Sequence, residues 1–412
     1  MAGRIKILLL SLLLFHSVRA EEKTINLLFF PLEPSLYDLP VQDIPDSIEG
    51  YVEKYNSYLF DAGDLKRRMQ NDLPYALDQL GQRRIFPILQ QFIDEISRQE
   101  KYRDTQLSVK IHFILWNDAL EFFKRKTTRS DFSIAQIGSE FLGGIVEQGD
   151  VLPLNRFFDS SEIHETYYPV CLKTCVLGNR RELWALPFWA SLRTLFVRQD
   201  IISACPGVNP DSIFTDWNSF LRAGELFNAH IPTLRKNGFS NLESFWGVNI
   251  GDRDLNILQT LMPPIFSHCG GLIQQKMWWR ECALDQGNSL NGIKTFLATA
   301  KAVGSLEELN MGLLLDQFHA GHFAMVMCGT WDHSYWRSTR PDSSSYIQVH
   351  LPPAGPCGQA TLLDCCNLVL FRHDGQSDYQ LEIELMRYLS TELSVQLDYV
   401  VANDRLSVIQ SL

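Results

Sequence analysis

FSIAQIGSEFLGGIVEQGDVLPL, Phe132 to Leu154, is the stretch on which the fold turns. Its first residues, Phe132 to Ile137, are apolar enough for a short buried strand, and Gly138 and Ser139 break the run. Ser139 has the hydroxyl to cap the helix that follows. Helical spacing then continues until the leucine-proline strand at its end. A strand that turns through small residues into a helix is the unit of α/β sheets, and such sheets bind ligands at the carboxyl ends of their strands. Gly138 to Phe141 lies at such an end.

The same alternation extends in both directions. Toward the N-terminus, TINLLFF (Thr24 to Phe30) is a strand apolar on both faces. Pro31, Pro34, Pro40 and Pro45 then interrupt the pattern, as an elaboration between the first strand and the first helix. Ile85, Ile88, Leu89, Phe92, Ile93 and Ile96 recur at helical spacing, and Leu107, Val109, Ile111, Phe113 and Leu115 alternate as a strand does. Toward the C-terminus, Leu186-Pro187-Phe188-Trp189 leads into the strand-like LRTLFV. Thr215-Asp216-Trp217 then introduces an amphipathic helix. Together these predict a mostly parallel α/β sheet in two lobes, with no flexible linker and hence more than one crossing of the chain between them.

Composition bounds the function. Arg4 and Lys6 before the apolar run Ile7 to Phe15, ending in Val18-Arg19-Ala20, have the form of a secretory signal, with cleavage expected after Ala20. No cysteine follows that run, so a soluble periplasmic protein is expected in place of a lipid-anchored one. Hydrophobic residues make up 45% and charged residues 21%, which is globular, and the net charge of -11 disfavours nucleic acid. The nine cysteines are an odd number, so at least one lacks an intramolecular partner. Cys171 with Cys175, and Cys269 with Cys282, are spaced for possible disulfides. Cys365 and Cys366 are adjacent, the arrangement of a vicinal disulfide, although two separate thiols are the simpler state.

Beyond Phe132 to Leu154, five further landmarks follow in order: LWALPFWASLRTLFVRQDI (Leu183 to Ile201), TDWNSFLRAGELF, CGG at Cys269 to Gly271, FHAGHFAMVMCGTWDHSYW (Phe318 to Trp336), and PPAGPCG at Pro352 with YLSTELSVQ at Tyr388. In this order the chain resembles the bacterial extracellular solute-binding proteins that serve ABC importers, the family of maltose, oligosaccharide and glycerol-phosphate binders. The resemblance implies an α/β, two-lobed, Venus-flytrap architecture of the type II periplasmic binding proteins. After the signal (residues 1–20), lobe 1 would comprise 21–193 with 366–412, and lobe 2 would comprise 194–365. It implies a monomer that captures a small ligand, a sugar or related polyol or oligosaccharide, and hands it to an inner-membrane ABC permease. A periplasmic sensor for a membrane signalling protein would use the same fold. No enzyme activity, cofactor or metal is implied.

By position, the family's pocket residues fall on Glu140 and Phe141, on Trp189, Ser191 and Arg193, and on Gly329, Thr330 and Trp331; Asp364 joins them where the family usually has a Gly-Gly pair. Flat aromatics suit the C–H faces of a sugar and the polar groups suit its hydroxyls. Trp331 is read as a stacking platform, Trp189 equally as platform or core, Arg193 equally as a ligand contact or half of an internal ion pair, and Trp116 as a rim or core residue. Two rival chemistries have residues to point to. His319 and His322, with Cys328 and His333, have some of the look of a zinc site, and Glu140 with Asp364 offers the two carboxylates a glycoside hydrolase needs.

Overall fold

The computed structural model describes residues 21–30, 57–61, 85–113, 119, 122–123, 131–178, 182–249, 255–275, 280–305, 311–333, 345–401 and 404–412. The signal, the proline-rich elaboration, Leu115 and Trp116 lie outside them. The main elements run, in order, β1 (Glu21–Phe29), β2 (Ser57–Asp61), α1 (Ile85–Ile96), β3 (Thr105–Phe113), β4 (Ile134–Gly138), α2 (Ser139–Glu147) and β5 (Leu186–Arg198). They continue with α3 (Trp217–Lys236), β6 (Ser244–Gly247), α4 (Leu255–Ser267), α5 (Gly287–Val303), β7 (Gly304–Ser305), α6 (Met311–His319), β8 (Phe323–Gly329), β9 (Ile347–His350), β10 (Leu363–Leu370) and α7 (Gln380–Thr391).

Most of the expected elements form where their patterns lie. The expected core positions of α1, Ile85, Ile88, Leu89, Phe92, Ile93 and Ile96, are all buried. All five residues of β4 are buried, as a strand covered on both faces requires. Asp216 caps α3 by accepting from the Ser219 amide at 2.7 Å. The start of α2 differs: Ser139 is the first helical residue and Gly138 holds the capping position without a side-chain bond. Gly138 is still in the ladder opposite Cys366, so the chain bends into the helix only after it.

The ten strands form one sheet in the order β7-β6-β8-β5-β10-β4-β1-β3-β2, with β9 paired to β5. This sheet is mixed, and that corrects the expectation of a mostly parallel one. Pairing is parallel for β1 with β3 and β4 and for β6 with β7 and β8, and antiparallel for the edge strand β2 with β3. It is also antiparallel wherever β5 or β10 takes part, because these two strands run between the halves. Over Leu186–Leu192, β5 pairs with β10; over Arg193–Val197 it pairs with β8.

The apolar interior divides at the same place. One cluster gathers β1, α1, β3, β4, α2, the first part of β5 up to Ala190, and the chain from Cys365 to Ile409. A second holds Leu195 and Val197 of β5 with α3, β6, α5 and β8 around Trp246, and a smaller third packs Phe196 against α6 and β8. Between the clusters, β5 carries Ser191, Arg193 and Thr194, which are buried but polar. An apolar core that stops at a polar belt and resumes beyond it is the mark of two bodies sharing a crossing strand.

The cysteines pair differently from either expected loop. Cys269 is bonded to Cys357, with the Cα atoms 5.6 Å apart, and Cys282 is exposed and unbonded. Cys171 and Cys175 are buried thiols, and so are Cys365 and Cys366; there is no vicinal ring. Cys365 and Cys366 are successive residues of β10, so their side chains are directed to opposite faces, the first toward Cys171 and the second toward Glu140.

Candidate functional site

Four chain segments converge on the polar belt. β4 ends at Gly138 and turns into α2; β8 ends at Gly329, in register with Arg193; β10 brings Asp364 directly opposite Ser191; and the C-terminal segment bridges back to Ala190 through Leu406. Directly opposed residues of antiparallel strands share a face, and so do residues two apart on one strand. Ser191, Arg193 and Asp364 therefore project to the same side of the sheet.

Arg193 is the centre of this face. Only 1% of its surface is exposed, and its Nε lies 3.4 Å from Asp364 Oδ2. Its Nη2 donates to Gln259 Oε1 on α4, and Gln259 Nε2 donates in turn to Asp364 Oδ1 at 3.2 Å. Burial pushes the Asp364 carboxyl upward, and Arg193 opposes that rise. Of the two readings of Arg193, the ion pair is present. Above it lies Trp331, its ring 4.4 Å from the guanidinium carbon. The indole packs over Gly329 so closely that a Cβ there would come within 2.0 Å of a ring carbon. Only glycine leaves room for this stack.

The C-terminal segment closes the other side. Arg405 lies 5.1 Å from the Trp189 ring and 5.9 Å from the Trp331 ring, and His333 Nδ1 approaches Asp404 Oδ2 at 3.4 Å. Asp332 is buried nearby, and desolvation lifts its carboxyl to about 6 against the pull of Arg193 and Arg405.

Glu140 is in a different situation. It sits in the first turn of α2 with its carboxyl folded back over Gly138, where an added Cβ would lie 2.4 Å from Oε2. The side chain keeps exposed surface. Desolvation by the surrounding protein raises its carboxyl to about 7; repulsion from Asp364 adds to the rise, and its own amide and Arg193 oppose it.

The predicted site residues thus divide by accessibility. Glu140, Thr330 and Trp331 reach solvent, and a fifth of the Asp364 side chain does too. Phe141 is 9% exposed in the first core, its ring 5.4 Å from Phe123; Trp189 is 3% exposed beneath Arg405; and Ser191 is fully buried. Gly329 contributes space and no side chain. Gln259, Asp332, Asp404 and Arg405 escaped the sequence reading, and His333 entered it only as a possible zinc ligand. Asp332 and His333 follow Gly329-Thr330-Trp331 within the same landmark and were within its reach. Nothing in the local pattern around Gln259 or Arg405 signals a role.

The histidines disperse. His322 Nδ1 pairs with Glu243 at 2.8 Å, His333 with Asp404, and no group of three metal-ligating side chains occurs among the described residues.

Comparison with solved structures places this geometry. An ABC transporter solute-binding protein from Thermotoga lettingae, bound to α-D-tagatose, superposes with a TM-score of 0.61 at 15% identity, covering 92% of this chain and 80% of that one. A substrate-binding protein from Listeria monocytogenes in complex with cycloalternan gives 0.63 at 11% identity, over 95% and 80%. The chain has the two-lobed solute-binding fold. A ribitol complex from Agrobacterium radiobacter shares this solute-binding fold at a TM-score of 0.60 and 12% identity, over 95% of this chain and 82% of that one. No family model and no curated protein matches the sequence. In the terms of this fold, β5 and β10 are the crossing strands, and the Arg193–Asp364–Trp331 group stands where they cross.

Proposed function

We propose that the protein is an exported solute-binding protein that captures a sugar, polyol or oligosaccharide between its lobes and delivers it to an ABC importer of the inner membrane. The lobes would be residues 21–193 with 366–412, and 194–365. The protein would act as a periplasmic monomer, without a cofactor and without catalysing a reaction. The observation that carries this reading is the convergence of both lobes' chain ends on one polar face, with an indole and carboxyls open to solvent at the joint. Similarity in fold to proteins solved with tagatose, ribitol and cycloalternan supports the ligand class.

Glu140, Thr330, Trp331 and Asp364 are the proposed ligand contacts. Arg193, Trp189, Ser191, Phe141 and Gly329 are the surface on which those contacts rest. Binding energy enters through the difference between open and closed states, since a ligand that touches both lobes favours closure by its differential affinity.

A thermal-shift screen of sugars, polyols and oligosaccharides tests the proposal, because a ligand at 100 times its dissociation constant adds roughly 2.7 kcal/mol of stability. A binder in this panel should also shrink the radius of gyration in solution scattering. If no member of the panel shifts the transition, the reading fails.

A further inference from the structure

The charges around the crossing strands do not balance at the solvent side. The two buried arginines here each have internal partners: Arg193 is held by Asp364 and Gln259 and covered by Trp331, and Arg405 lies against two indole rings with Asp332 in its field; His333 meets Asp404. Glu140 has no ion pair and no side-chain hydrogen bond among the described residues, and it is exposed, more so than the partly exposed Asp364 and Asp404. Its carboxyl lies over the bare Cα of Gly138, and Asp364 stands close enough to repel it.

A second observation points toward a ligand. The Ser191 hydroxyl is fully buried on the same sheet face as Arg193 and Asp364, and among the described residues it has no hydrogen-bond partner; the Thr330 hydroxyl has none there either. Buried polar groups are rarely left unmatched without a reason. Hydroxyls of this kind suit a polyhydroxylated guest. The surplus carboxylate asks for more than hydroxyls, because a neutral sugar can donate hydrogen bonds to it but leaves its charge uncompensated in a crowded setting, whereas a phosphate or carboxylate on the ligand would be repelled.

Resting on the solute-binding reading, we propose that the preferred ligand is a sugar bearing a protonated amine, with Glu140 as its counter-ion, and that anionic sugars are rejected by the same residue.

Titration calorimetry tests this on the full-length mature protein and on Glu140→Gln, with glucosamine and its β-1,4-linked dimer set against glucose, cellobiose and glucose 6-phosphate. The expected result is an amine preference of about tenfold or more in the wild type, within what a close charge pair supplies across an interface. That preference should collapse to near unity in the variant, with glucose 6-phosphate binding only once Glu140 is neutral. Circular dichroism would confirm that the variant is folded, and Glu140→Asp, which keeps the charge, should keep the order of preference. Equal binding of amine and neutral sugars by the wild type would overturn the proposal and leave the solute-binding reading intact. Absence of binding by every compound here and in the wider screen would overturn both.

Discussion

Arg193 and Asp364 meet where the two crossing strands pass from one apolar core to the other, with Nε 3.4 Å from Oδ2 and Gln259 bonded to both. The pair is asymmetric. Arg193 is sealed, whereas a fifth of the Asp364 side chain is exposed. The arginine is thus the member that depends on its partner, and the aspartate the member that can also meet a ligand.

This asymmetry makes a stability prediction. Asp364→Ala leaves a guanidinium buried without its carboxylate, and removing one partner of such a pair costs about 3–5 kcal/mol. Gln259 and the Trp331 face remain, so the lower end of that range is expected. Replacing both together, as Arg193→Met with Asp364→Leu, should cost markedly less than Asp364→Ala alone. Urea unfolding of the wild type and these two variants checks the order, and a double variant as unstable as Asp364→Ala would refute it.

Gly329 is where shape can be separated from charge. A methyl group there would collide with the Trp331 ring, because the built Cβ lies 2.0 Å from it. Gly329→Ala should push the indole off Arg193, shift tryptophan emission to the red, and weaken sugar binding about tenfold or more, by loss of one aromatic platform in the range of 1–3 kcal/mol. Trp331→Ala should weaken binding to a similar degree, and the two substitutions together should not add. Fluorescence titration of the single and double variants provides the measurement.

How far the sequence carried these conclusions depends on the reach of each signal. Apolar spacing is local, so α1, β4 and β5 were legible from residues such as Ile85 to Ile96 and Leu186 to Trp189. Gly138 and Gly329 were noticed through the landmarks that contain them, and only coordinates show that one accommodates the Glu140 carboxyl and the other the Trp331 indole. Strand direction was misjudged because antiparallel entry of β5 and β10 is decided by where the chain crosses, which periodicity does not record. Gln259 and Arg405 could not be seen in advance. Each lies in an unremarkable segment and gains its role by meeting residues 66 and more than 200 positions away.

The Cys269–Cys357 bond makes a prediction that also bears on the compartment. It closes a separation of 88 residues within the 194–365 portion of the chain. Removing a native disulfide from an exported domain typically costs about 2–5 kcal/mol. Reduction, or Cys269→Ser with Cys357→Ser, should lower the unfolding midpoint accordingly. Mass mapping of the protein purified from its exported form should find this bridge and no bridge from Cys282 to Cys269. Recovery of a Cys269–Cys282 peptide would contradict the fold drawn around the second lobe.

Glu140 gives the pH dependence. Its carboxyl is raised to about 7 in the folded protein from an ordinary 4.5, first by the crowding of the joint and then by Asp364, with Arg193 and its own amide opposing. Between these two values the native state holds a proton that the unfolded chain has released, so this group's contribution to stability declines as pH rises from about 4.5 to about 7. Glu140→Gln, which cannot ionise, should therefore match the wild type near pH 4.5 and become the more stable of the two by pH 8; thermal unfolding across that range reads the difference. Binding of an amine-bearing sugar should run in the opposite direction. A cation needs the ionised carboxylate, so its affinity should climb from pH 5.5 to 7 in the wild type and stay flat in Glu140→Gln, while a neutral sugar changes little in either. Asp364, Arg193 and Cys366 also border Glu140, with Asp364 tied to its arginine and Cys366 a buried thiol pushed well above its ordinary range, and Asp332, raised to about 6, lies in the same joint, which is why Glu140→Gln is the control. A binding transition that persists in Glu140→Gln would therefore assign the proton to some other group and remove the basis for the pH argument.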